Sequence, residues 1–132
     1  MDAKPIHSMI RVLDLDRSMR FYADVLGMRE SHRLDFPDFA LVYLRNDISE
    51  YEMELTLNKG REDPYTHGSG YGHVGVVVAD VAETHAALTA KGYQPAPVKE
   101  FKRGDDLLAR FFFIEDPDGY KIEMLERHGH YQ

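Results

Sequence analysis

Four side chains have types and spacing that can hold a divalent cation: His7, Glu54, His73 and Glu123. Imidazole nitrogens and carboxylate oxygens together suit a borderline transition ion, and such a set leaves room in an octahedral shell for water or substrate. The order repeats. Glu54 lies 47 residues after His7 (54 − 7), and Glu123 lies 50 after His73 (123 − 73). Taken singly, each residue has a plainer explanation. Glu54 alternates with Thr56 and Asn58 as the polar side of a strand whose other side is Met53, Leu55 and Leu57, a pattern that also describes an ordinary solvent-facing strand. Two histidines and two glutamates in matching order are harder to explain that way.

The elements around them repeat too. Ile6–Leu13 mixes apolar and polar residues as a strand does, with His7, Met9 and Arg11 on one side. Asp14-Leu15-Asp16 then offers helix N-caps, and Met19, Tyr22, Val25 and Leu26 recur at helical spacing, closed by Gly27. Downstream, His73–Val78 reads as a strand and Asp80 as a cap. Val81, Thr84 and Leu88 follow as one helix face, and Gly92 as the terminator. Asp14 and Asp80 both lie seven residues beyond their histidines (14 − 7 and 80 − 73), the signature of two copies of one unit. Further strands are expected at 39–44 and 51–57 in the first copy. In the second they are expected at 107–114 and 120–125, either side of the turn Asp116-Pro117-Asp118-Gly119. The order is strand, helix, then two or three strands, an α+β pattern. Pseudo-symmetry between the copies would bring both His–Glu pairs to one locus.

At 132 residues the chain fits one domain, 1–132, with one module at about 6–58 and the other at about 72–126. Either module alone would bury a marginal core, so pairing of modules or of subunits is expected. A net charge of −7 argues against a nucleic-acid binder, and any anionic substrate must be met by a local basic patch. The absence of cysteine excludes disulfides, a thiolate nucleophile and sulfur ligands. No apolar run is long enough for a membrane-spanning helix, and Met1–Pro5 lacks a signal-peptide pattern, so a cytoplasmic address with no membrane partner is expected. Among the remaining histidines, His32 and His85 read as surface or packing residues. His128 and His130 fall in a polar, mobile end, and His67 lies in a Gly-rich connector at the edge of the site.

Several stretches, in order over about residues 6–126, resemble glyoxalase I of the vicinal-oxygen-chelate superfamily. They are His7-Ser8-Met9-Ile10-Arg11-Val12, Phe21-Tyr22 with Val25-Leu26-Gly27-Met28, Glu54-Leu55-Thr56-Leu57-Asn58, Tyr71-Gly72-His73 and Asp116–Glu123. The resemblance implies paired βαβββ modules with cupped, barrel-like sheets. It also implies a homodimer whose site lies at the interface, with His7 and Glu54 from one subunit and His73 and Glu123 from the other. The implied reaction isomerises the hemithioacetal of methylglyoxal and glutathione to S-lactoylglutathione through an enediolate, a detoxification of methylglyoxal. Glu123 is implied as the base, with Glu54 second. Arg11 and Asn58, which share faces with His7 and Glu54, are assigned to glutathione, as are Lys102 and Arg103 in a loop beside Gly104. The short form resembles the nickel- or cobalt-activated class. Ni²⁺ is therefore the expected ion, although the ligand types also admit Zn²⁺.

Other chemistries share the scaffold. Dioxygenases, epimerases and antibiotic-modifying thiol transferases are alternatives, and an acidic residue at position 54 points away from those that use two His and one Glu. A non-catalytic, drug-sequestering protein is the alternative of a different class, distinguished by its lack of the full ligand set.

Overall fold

The computed structural model describes residues 1–132. Two compact units divide the chain, Met1–Thr66 and His67–Gln132. The first contains β1 (His7–Val12), α1 (Leu15–Leu26), β2 (Arg29–Asp35), β3 (Phe39–Arg45) and β4 (Glu52–Asn58). The second contains β5 (Val74–Val78), α2 (Val81–Ala90), β6 (Lys99–Arg103), β7 (Asp106–Glu115) and β8 (Lys121–Glu126). Each unit is thus a βαβββ module with a four-stranded sheet, ordered β1-β4-β3-β2 in one and β5-β8-β7-β6 in the other. In both, the first strand runs parallel to the last and the remaining pairs are antiparallel. Neither sheet closes into a barrel; each keeps two edges.

Period-two alternation sends one face of each sheet inward. In the first unit Ile10, Val12, Ala40, Val42, Leu44, Met53 and Leu55 are buried, with Phe21, Tyr22 and Val25 of α1. The helix stripe differs from the one expected. Ser18 and Phe21 complete it with Tyr22 and Val25, while Met19 and Leu26 flank it half-buried. In the second unit Phe112, Ile114, Ile122 and Met124 are buried with Val81 and Leu88 of α2.

The helix caps follow the same chemistry twice. Asp14 and Asp80 sit in extended backbone, and each carboxylate accepts a hydrogen bond at 2.9 Å, from the Arg17 and Glu83 amides respectively. Gly27 at φ 63° and Gly92 at φ 93° take the left-handed conformation that ends each helix, with the Met28 and Tyr93 amides returning to the Tyr22 and Leu88 carbonyls. Asp14→Ala or Asp80→Ala should each cost about 1 kcal/mol. That should appear as a drop of roughly 4 °C in Tm on thermal denaturation. The double variant should show close to the sum, since the caps share no partner.

Two elements depart from the sequence reading. Strands β2 and β6 are exposed along their whole length and carry no apolar period, because an edge strand is held by its backbone ladder while its charged side chains deter further pairing. Lys102 and Arg103 therefore lie on β6 rather than in a loop; only Gly104 (φ 62°) and Asp105 form the turn to β7. The C-terminal end is tied down rather than mobile. His128 exchanges backbone hydrogen bonds with Tyr131, and its Nε2 lies 2.9 Å from the Leu107 carbonyl. No helix is long and apolar enough to cross a membrane.

Candidate metal centre

His7 opens β1, and the parallel pairing of β1 with β4 sets Glu54 opposite Met9, two residues on. Residues two apart share a face. The His7 and Glu54 side chains therefore stand on the sheet face opposite the core, with His7 Nε2 3.6 Å from Glu54 Oε2. The second unit repeats the arrangement. His73 immediately precedes β5, Glu123 stands opposite Gly75, again two residues on, and His73 Nε2 lies 2.7 Å from Glu123 Oε2. The carboxylates are the more enclosed members, at 12% and 18% exposure against 34% and 42% for the imidazoles, so each pair stays open to a ligand from outside.

Cross-strand aromatic residues support both pairs. Tyr43 lies opposite Glu54 and Phe113 opposite Glu123. His7 meets the Tyr43 ring edge-on at 5.6 Å, and His73 meets Phe113 edge-on at 5.3 Å. Tyr43 adds a hydroxyl, which donates to Glu54 Oε1 at 2.7 Å. That hydrogen bond, with burial and the charges of Glu54 and Glu52, raises the Tyr43 pKa above the ordinary tyrosine value, so it stays a neutral donor at physiological pH.

Nitrogen and carboxylate donors fit a borderline divalent ion. Each unit supplies one imidazole and one carboxylate. A catalytic ion is ordinarily held by about three protein ligands with an open position, so a single pair falls short of a complete site.

The other expected residues divide. Arg11, two residues beyond Met9, and Asn58, at the end of β4, share the open face of the first sheet with His7 and Glu54. The Asn58 amide donates to the Tyr65 hydroxyl at 2.9 Å. Lys102 and Arg103 are placed differently. In the second sheet β7 stands between β6 and β8, so neither neighbours His73 or Glu123, and Lys102 pairs with Glu100 at 3.2 Å.

His67 does edge the second pair. A cavity of about 390 Å³ is lined by His67, Tyr71, His73, Phe113, Gly119 and Lys121. The His67 ring stacks on Tyr120 at 4.2 Å, its buried Nε2 without a hydrogen-bond partner. The Gly-rich connector was the only hint of that placement in the sequence. Tyr43 and Phe113 carried none, since their roles depend on strand register. His85 is structural, its Nε2 3.0 Å from the Ala96 carbonyl and its ring edge-on to Phe112.

Residues 4–124 match the Glyoxalase/Bleomycin resistance protein/Dioxygenase superfamily. The chain is 43% identical to lactoylglutathione lyase of Haemophilus influenzae over 129 residues, covering 92% of this chain and 90% of that one. A probable lactoylglutathione lyase of Synechocystis is 39% identical, with 92% and 93% covered. Among solved structures, the trypanothione-dependent glyoxalase I of Leishmania major superposes with a TM-score of 0.75 at 36% identity, covering 95% of this chain and 87% of that chain. Glyoxalase I of Zea mays gives a TM-score of 0.83 at 30% identity over 96% of this chain, which spans 45% of the maize chain.

Proposed function

The chain belongs to the Glyoxalase/Bleomycin resistance protein/Dioxygenase superfamily, and from that premise we propose that it is a lactoylglutathione lyase, isomerising the hemithioacetal of methylglyoxal and glutathione to S-lactoylglutathione. The observation that carries this reading is the pair of register-matched His–Glu couples, one in each unit, on the open faces of like-ordered sheets. Relatives near 40% identity over nearly the full length bear the same activity in their names.

In this reading His7, Glu54, His73 and Glu123 hold one divalent ion, Ni²⁺ by preference. When bound, such a cation polarises the substrate carbonyl and offsets negative charge as it builds on the two neighbouring oxygens. Glu123 takes the proton from the carbon bearing sulfur and hydroxyl, and its carboxyl returns that proton to the adjacent former carbonyl carbon. No atom is gained or lost, and the hemithioacetal becomes a thioester with a secondary alcohol. Glu54 is the second choice for this role.

Each unit offers two donors, half of such a set, and in this reading a homodimer completes the site, His7 and Glu54 of one subunit with His73 and Glu123 of the other. Arg11 and Asn58, on the face shared with the first pair, are assigned to the glutathione carboxylates and amides. Lys102 and Arg103 could reach the thiol peptide only from the β6 edge. A chain without cysteine that uses a thiol peptide fits a cytoplasmic address.

Protein loaded with Ni²⁺ should convert methylglyoxal plus glutathione to the thioester, followed as rising ultraviolet absorbance. A chelator should abolish the rate and added Ni²⁺ restore it. Replacing glutathione with a different low-molecular-weight thiol tests the cosubstrate in the same assay. A rate no higher than the spontaneous background with Ni²⁺, Co²⁺ and Zn²⁺ in turn would remove the assignment and favour a sequestering protein.

A further inference from the structure

The two His–Glu pairs agree in register, in the face they occupy and in the aromatic ring that supports them, yet they differ by one hydroxyl group. Tyr43 and Phe113 occupy like places, each opposite its glutamate and edge-on to its histidine, with interplanar angles of 78° and 74°. Tyr43 donates to Glu54 Oε1 at 2.7 Å, while the other oxygen, Oε2, turns toward His7. Phe113 presents only carbon and hydrogen to the second pair, where Glu123 Oε2 meets His73. The Tyr43 ring is itself half-buried between two imidazoles, His7 at 5.6 Å and His32 at 5.9 Å, so its hydroxyl is aimed rather than free to swing.

We propose that Tyr43 is a positioning residue that tethers Glu54 as a fixed ligand, and that the lack of a matching hydroxyl on Phe113 leaves Glu123 free to move a proton. The inference rests on the reading of the two pairs as a metal centre. Its physical basis is the ordering cost of a glutamate side chain, which has several rotamers to lose when it is held in one. A hydrogen bond to one carboxylate oxygen meets that cost before any ion arrives and leaves one oxygen for the ligand role. Glu123 meets His73 through Oε2 at 2.7 Å, but no cross-strand hydroxyl holds its other oxygen, which stays available to accept a proton at one carbon and deliver it to the next. Two copies of one module would otherwise supply two equivalent glutamates. The hydroxyl makes them unlike.

The test is Ni²⁺ affinity, measured by competition with a chromogenic chelator, for the wild type, Tyr43→Phe, Glu54→Ala and the double variant. Tyr43→Phe should weaken Ni²⁺ binding by roughly 10–100-fold, the usual effect of losing a residue that orients a ligand. The melting temperature of the ion-free protein should stay close to that of the wild type. In the Glu54→Ala background the same substitution should add nothing, because Tyr43 acts through Glu54. Phe113→Tyr offers Glu123 the donor it lacks and should lower kcat at saturating Ni²⁺ without weakening Ni²⁺ binding. A Kd for Tyr43→Phe within about twofold of wild type, or an equal loss with and without Glu54, overturns the tether. So does an unchanged kcat for Phe113→Tyr. If the wild type binds Ni²⁺ and makes thioester in those cases, the tether alone is lost. A wild type that takes up no ion and makes no thioester removes the metal-centre reading, and the tether with it.

Discussion

Glutamine in place of Glu123 is expected to lower kcat by roughly 10²–10⁴-fold at saturating ion, the range general-base catalysis contributes. The substitution keeps the side chain's shape and one oxygen that can stand where Oε2 meets His73 Nε2 at 2.7 Å, so the β5–β8 pairing should survive. What it removes is the ability to carry a proton, since an amide oxygen is far too weak a base to take one from carbon. Glu123 also stands in the proposed ligand set, so the measurement must separate two losses. Ion affinity is read by chelator competition, turnover is read with the ion in excess, and folding is read by thermal melting. A large fall in kcat that excess ion does not repair is the expected result. Normal turnover would place the base elsewhere, with Glu54 next to be tested in the same way.

Subunit complementation carries the second large effect. A His7→Ala/Glu54→Gln variant lacks the first pair, and a His73→Ala/Glu123→Gln variant lacks the second; each alone should be inactive. If each site takes one pair from each of two subunits, a mixed dimer has one site with both pairs broken and one with both intact. Random exchange puts half the chains in mixed dimers, so the mixture should recover about a quarter of wild-type activity under the symmetry of a two-fold interface. A site built from the two pairs of a single chain would recover none. Capture of one variant by a tag, with the other carried along, shows that exchange took place. No recovery in a sample so exchanged would dismiss the shared site.

The repeat was legible because it is written locally. Cap residues Asp14 and Asp80, terminators Gly27 and Gly92, and the alternation of Met53, Glu54 and Leu55 act through near neighbours along the chain, and each appears in the structure where its pattern placed it. The helix face differs in part from the spacing of its apolar residues, since Ser18 and Phe21 are buried and Met19 is only half-buried. Strands β2 and β6 gave no apolar signal because nothing along them is buried. Lys102 and Arg103 were misplaced for that reason, a charged run beside Gly104 reading as loop when backbone pairing to β7 makes it strand.

The sequence by itself pointed to two repeated βαβββ modules, their order and the four residues proposed to hold an ion. Which aromatic ring faces which glutamate was decided only by tertiary structure. Tyr43 and Glu54 are 11 residues apart and Phe113 and Glu123 ten, so the connections between the paired strands differ by one residue. In a sheet whose side chains alternate with a period of two, one residue of register moves every side chain to the opposite face. Only the pairing itself shows that both connections return their glutamates to the open face, Glu54 beside a hydroxyl and Glu123 beside a bare ring.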